Sequence, residues 1–117
     1  PFGTPGDDVQ PQAMLQFLLN MLLFDMGPQP AVDAPRFATF SFPRSSAPHD
    51  YFPRRMSLER RFDDDIVTAL AALGHEPHWW RPWEWRAGGL CVVRRDDATG
   101  LLSGAADRRR PGGVAGL

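Results

Sequence analysis

The chain has 117 residues, 13 basic and 14 acidic side chains and a formal net charge of −1; 43% of it is hydrophobic and 23% charged. That is one modest domain by length, with no global field to draw it to nucleic acid or to a membrane surface. The single cysteine, Cys91, excludes an internal disulfide framework and any multi-cysteine metal site.

Every basic residue is arginine, and 12 prolines and 11 glycines are spread along the sequence. Its apolar runs fall well short of the roughly 20 residues that cross a bilayer. No basic, apolar, small-residue leader opens the chain, so no signal peptide is expected. The chain begins at Pro1 in what reads as a loop and is expected to be a fragment of a longer protein.

Residues 1–9 read as a turn-rich opening, with Thr4-Pro5-Gly6-Asp7 supplying tight-turn chemistry. Asp7 and Asp8 then precede an apolar run, where carboxylates favour the N-terminal end of a helix dipole. Pro11 suits a first helical turn because its missing N–H would be unpaired there anyway. From Gln10 to Phe24, Met14, Leu15, Leu18, Leu19 and Leu22 recur at helical spacing. Phe17, Met21 and Leu23 widen the stripe until little polar face remains. Such a helix needs covering on most sides.

Asp25-Met26-Gly27-Pro28 stops that helix, and a short second one is expected over Pro30–Ala34, ended by Pro35. Arg36–Phe42 reads as a strand, residues 43–53 as a proline-rich loop, and Met56–Arg61 as a second strand with Met56 and Leu58 on one face. Asp63-Asp64-Asp65 read as an acidic cap on an amphipathic helix carrying Ile66, Val67, Leu70 and Leu73, with Gly74 as its stop. Gly89–Arg94 and Leu101–Ala105 read as hairpin arms joined by a turn over 95–100. The tail, from Ala106 on, has too few apolar anchors to fold alone.

Most eye-catching residues have ordinary explanations. His75 and His78 lack further ligands at metal-site spacing and read as loop histidines. Trp79, Trp80, Trp83 and Trp85 interleave with Arg81 and Arg86, a pattern that can stack on single-stranded nucleic acid. Alternation on a strand, with Trp83 and Trp85 packed against the first helix, accounts for it better. Cys91 reads as a small buried hydrophobe, Arg108-Arg109-Arg110 as a solvated tail, and Ser45-Ser46 as loop residues without nucleophile context. Composition and periodicity alone stop at an α+β piece.

The ordered residues go further. Thr4-Pro5-Gly6, Gln10-Pro11-Gln12-Ala13, Leu15-Gln16, Leu19-Asn20, Phe24 and Ala34-Pro35-Arg36-Phe37 follow one another as in a known pattern. That pattern is a Pro-Gly-Gly turn, a helix of the PQAxLQxxLNxLxFxM type, and a short helix ending in APRF. Leu58-Glu59, Leu73-Gly74-His75, Arg86-Ala87-Gly88-Gly89 and Gly104-Ala105-Ala106-Asp107 continue it. The sequence resembles the gamma-glutamyltranspeptidase family over nearly its whole length.

The resemblance implies a partial αββα sandwich of the N-terminal-nucleophile hydrolases, with residues 1–117 as the C-terminal segment of the small subunit. It implies nucleophilic acyl transfer from a gamma-glutamyl or related amide, by an N-terminal threonine that lies upstream of this chain. Thr4 is not that threonine. The implied partners are the upstream part of the small subunit, the large subunit and the amide substrate. No cofactor, metal, nucleic acid or membrane is implied.

The catalytic element that maps here is the turn, whose two glycine N–H groups face the developing oxyanion in the family. Gly6 matches the first glycine; Asp7 replaces the second, and Arg108 stands where the family's closing Asp-Pro-Arg has proline. Asp7 keeps an N–H, but it tolerates a positive φ less well than glycine, and a carboxylate there opposes developing negative charge. The alternative reading is therefore a non-catalytic family member acting as an interaction or structural module.

Overall fold

The computed structural model describes residues 1–116. The described residues form two compact units, Pro1–Ala34 with Trp85 onward, and Pro35–Glu84.

In the first unit, β1 (Phe2–Gly3) pairs antiparallel with β5 (Cys91–Arg95), which pairs antiparallel with β6 (Leu102–Ala106). Phe2 lies opposite Val92, and Val92 opposite Ala105. Helix α1 (Gln10–Leu22) and the short α2 (Pro28–Asp33) belong to the same unit. Its core gathers Phe17, Ala31, Val32, Leu90, Val92 and Ala105, with Met14, Met21 and Met26 packed against it. Only Ala13 and Phe17 of α1 are buried. Leu15, Leu18, Leu19, Leu22, Leu23 and Phe24 are exposed, the uncovered face anticipated for a helix with so little polar surface.

In the second unit the sheet order is β2-β3-β4: β2 (Phe37–Thr39) lies antiparallel to β3 (Arg55–Glu59), and β3 parallel to β4 (Glu76–Trp80). Helix α3 (Asp64–Ala72) links β3 to β4, so the three elements form a βαβ unit. Met56, Leu58 and Val67 form its core with Phe37, Phe62, Leu70 and Trp79 around them. Gly74, at φ 95°, ends α3: its N–H bonds to Ala71 O at 2.9 Å and that of His75 to Leu70 O at 3.2 Å. This pairing is the Schellman motif. Asp63 occupies the N-cap position, although its side chain makes no capping bond.

Both main helices and the 91–106 hairpin lie where the sequence places them; the short helix runs over Pro28–Asp33 rather than Pro30–Ala34. The corrections are local. The opening is not all turn, because Phe2 and Gly3 pair with β5. The 36–42 strand shrinks to Phe37–Thr39. Among the described residues, β3 and β4 form a parallel pair. His78 lies on β4 rather than in a loop, followed there by Trp79 and Trp80; Pro77 is tolerated because β4 is an edge strand. Trp83, at φ 58°, sits in a turn and Trp85 in a 3-10 turn, so neither is on a strand. Cys91 is exposed, because alternation on β5 sends its neighbour Val92 inward.

The largest correction is in the tail. Asp107 and Arg109 are buried, at 3% and 5% exposure. Arg109 Nη1 donates to Asp107 Oδ1 and to Val32 O, each at 3.0 Å, and Nη2 to Ala34 O at 2.7 Å. Asp107 Oδ1 also accepts the Arg109 N–H at 3.0 Å, and Oδ2 the Leu90 N–H at 3.1 Å. A polar clamp, rather than apolar anchors, fixes the tail to the end of α2.

Arg109→Met strands a buried carboxylate and is expected to cost about 3–5 kcal/mol, read as a fall in the urea midpoint. Arg109→Lys should recover little, since one ammonium cannot reproduce the planar fork that reaches both carbonyls. A second test concerns the hairpin turn, where the Thr99 N–H first, and then its hydroxyl, hold the Asp96 carboxyl below its usual range. A lowered folded pKa contributes stability above the ordinary carboxylate pKa that is lost as pH falls through the lowered value. Protection of the Thr99 amide from hydrogen exchange should therefore fall on acidification through that window, and Asp96→Asn should flatten the dependence.

Candidate functional site

The turn at residues 4–7 leads directly into a 3-10 turn, Asp7–Val9, and then α1. Pro11 sits in the first turn of α1, where a proline interrupts nothing. The first N–H groups of a helical segment have no partner within it. Gly6 and Asp7 thus lie at an end where backbone N–H groups and a positive dipole favour an anion. Val9 N–H closes the turn on Gly6 O at 3.0 Å.

Gly6 has φ 144° and ψ 18°, a region closed to side chains, and Asp7 has φ 53°. Both positions therefore take the backbone that favours glycine. Asp7 adopts it at a cost of about 1–2 kcal/mol, as a short polar residue can. Its side chain is exposed, and Gly6 is half-buried. Gly6 is the N-cap of the following turn, and Asp7 is its first residue.

What holds this turn comes from a second glycine segment. A Cβ built on Gly6 would lie 3.8 Å from the Cα of Gly88, itself buried at φ 96°. Gly89 N–H donates to Thr4 Oγ1 at 2.7 Å, and Thr4 Oγ1 donates to Pro5 O at 2.8 Å. Gly89 has no room for a side chain: a Cβ there would meet Arg110 Cβ and Cγ at 3.0 Å and Cδ at 2.7 Å. Arg110 is itself fixed, donating through Nε to Trp85 O at 3.1 Å, its guanidinium 5.1 Å from the Trp85 ring centroid. Leu90, the next residue, is tied to Asp107.

The structure therefore brings Gly6 and Asp7 together with residues that sequence reasoning gave no positioning part: Thr4, Gly88, Gly89, Asp107, Arg109 and Arg110. The signal that could have found them is the pattern of paired glycines before one hairpin arm and an Asp-x-Arg after the other. Among the described residues, no group of three or more His, Cys, Asp or Glu side chains could hold a metal ion. No helix of the described residues is long and apolar enough to cross a membrane.

The second unit carries a buried carboxylate of its own. Glu59 is fully buried; Oε2 accepts Arg36 N–H at 2.9 Å and Arg61 Nη2 at 2.8 Å, and Oε1 accepts Glu84 N–H at 2.9 Å. These bonds join β3 to the segments before β2 and after β4. Two tryptophans of this unit serve as platforms for its arginines: Arg60 lies 4.3 Å from the Trp79 ring centroid and Arg61 3.6 Å from that of Trp83. Cation–ring packing of this kind occupies two of the four rings considered for base stacking.

The chain as a whole is similar to known proteins. The family model for gamma-glutamyltranspeptidase matches residues 1–117. A glutathione hydrolase-like YwrD proenzyme from Bacillus subtilis (strain 168) is 28% identical over 116 residues, 99% of this chain and 21% of its own length. The crystal structure of cephalosporin acylase from Bacillus halodurans is 32% identical, with a TM-score of 0.83 over 98% of this chain and 19% of that one. The structure of LmbA2991HD is 41% identical, with a TM-score of 0.87 over 92% of this chain and 19% of that one. The chain thus spans about a fifth of the length of these relatives. With its whole length matched by that family model, the chain belongs to the gamma-glutamyltranspeptidase family.

Proposed function

We propose that this chain is the C-terminal segment of the small subunit of a gamma-glutamyltransferase- or acylase-like enzyme, and that its turn at Gly6 and Asp7 supplies the oxyanion hole. The observation that carries the reading is the backbone of that turn: two consecutive residues in glycine-favouring conformations at the N-terminal end of a helical segment. Relatives named as a glutathione hydrolase-like proenzyme and a cephalosporin acylase support amide hydrolysis or acyl transfer as the reaction class.

In this reading the attacking hydroxyl belongs to an upstream N-terminal threonine, activated by its own terminal amine. The hydroxyl oxygen bonds to the amide carbonyl carbon, and the amine takes the hydroxyl proton. The resulting oxyanion receives the N–H groups of Gly6 and Asp7. As the C–N bond breaks, the proton passes to the leaving amine and an ester-linked acyl-enzyme remains. Water or an acceptor amine then releases the acyl group. One donor of this kind lowers the barrier by about 2.7–4 kcal/mol.

Asp7 makes a second reading concrete, a non-catalytic module, since a carboxylate beside the oxyanion site opposes the charge the site must hold. The polypeptide upstream separates the two: a Thr-Thr-His-x-Ser-like segment in frame supports the enzyme. In the full-length protein, Asp7→Gly should raise turnover of a gamma-glutamyl anilide severalfold by removing that charge and relaxing the backbone. An unchanged rate counts against an inhibitory Asp7. The 117-residue chain by itself should release no product; measurable release would overturn the placement of the nucleophile upstream.

A further inference from the structure

Resting on the oxyanion-hole reading of Gly6 and Asp7, we infer that Thr4 is the positioning residue of that turn, holding its backbone through one hydroxyl that bonds in both directions. The hydroxyl accepts the Gly89 N–H at 2.7 Å and donates to Pro5 O at 2.8 Å, using its single proton and one of its lone pairs.

The geometry makes this bond decisive for the turn. Gly6 at φ 144° and Asp7 at φ 53° occupy a conformation that local preference does not favour; such a turn persists only where its surroundings over-determine it. On one side, the Asp7–Val9 turn is closed by Val9 N–H on Gly6 O. On the other side, Thr4 fastens the entering strand to Gly89. Gly89 cannot drift, because the Arg110 stem fills the space beside it and Asp107 holds Leu90 N–H. Thr4 is thus the link between the turn and a rigid part of the same unit. Its hydroxyl sits two residues from Gly6, so it does not replace the oxyanion donors; it sets where they point. Donors of an oxyanion hole act through preorganisation, and a small misplacement weakens their bond to the transition state more than to the bound amide.

The test uses the full-length enzyme. Thr4→Val keeps the shape of the side chain and deletes both bonds; kcat is expected to fall about tenfold with KM unchanged within about twofold. Thr4→Ser restores the hydroxyl and should return kcat to within about threefold of the parent. Thr4→Ala deletes the same hydroxyl without adding bulk and is read against the same limits if Thr4→Val does not fold. A kcat for the hydroxyl-less variants within twofold of the parent overturns the inference. So does a loss confined to KM, or a Thr4→Ser enzyme as slow as Thr4→Val. Asp7→Pro deletes an N–H and, because proline holds φ at about −65° against the 53° found there, also disturbs the turn itself; its activity separates this inference from the reading beneath it. A loss of about a hundredfold in Asp7→Pro with none in Thr4→Val removes Thr4 alone. Full activity in Asp7→Pro removes the oxyanion-hole reading itself.

Discussion

The buried pair Asp107–Arg109 is the interaction on which the first compact unit depends. Two charges withdrawn from water carry a desolvation cost of several kcal/mol each, offset only where their remaining donors and acceptors find partners. Here they do: the arginine reaches two carbonyls at the end of α2, and the carboxylate takes the Leu90 N–H and the Arg109 N–H. One pair therefore fixes the tail, the close of α2 and the start of β5 to one another. The glycine segment at 88–89 inherits its position from this arrangement, and through Thr4 so does the turn at Gly6. The second unit uses the same device with Glu59, which gathers two backbone N–H groups and an arginine.

This explains why an ordered set of weak matches can identify a family when no single piece is a strong motif. Within the first unit, the Thr4-Pro5-Gly6 turn, Ala34, the Gly88-Gly89 pair and the Gly104–Asp107 arm are separate in sequence yet joined by bonds. Within the second, Arg36 and Leu58-Glu59 meet at one carboxylate. Several of these short matches are one side of a contact whose other side is another short match. Such contacts constrain backbone geometry, and backbone geometry is what an oxyanion site is made of.

The parts legible in the sequence are those whose cause is local. Leucine spacing marks α1, and the aspartates and Gly74 mark the two ends of α3. The turn over 95–100 sets the hairpin. What sequence reasoning misses is decided by tertiary partners. His78 reads as a loop residue because the edge position of β4, which lets Pro77 sit in a strand, is not visible locally. Arg109 reads as solvated because Val32 and Ala34 lie some 75 residues away along the chain. Cys91 reads as buried because a continuous apolar run hides which residues face inward. At the candidate site, Gly6 and Asp7 are proposed by resemblance, whereas the contacts of Thr4 and Arg110 become visible only once the hairpin brings Gly89 back beside the turn.

The bare side of α1 has a practical consequence. Leu15, Leu18, Leu19 and Leu22 lie along one helix with Leu23 and Phe24 beyond its end, all open to solvent. A greasy strip of that length, purified by itself, would find other copies of itself sooner than it would stay dispersed. Anyone preparing this polypeptide for crystals or spectra should plan on co-producing it with whatever normally shields those leucines, or on keeping it in mild detergent.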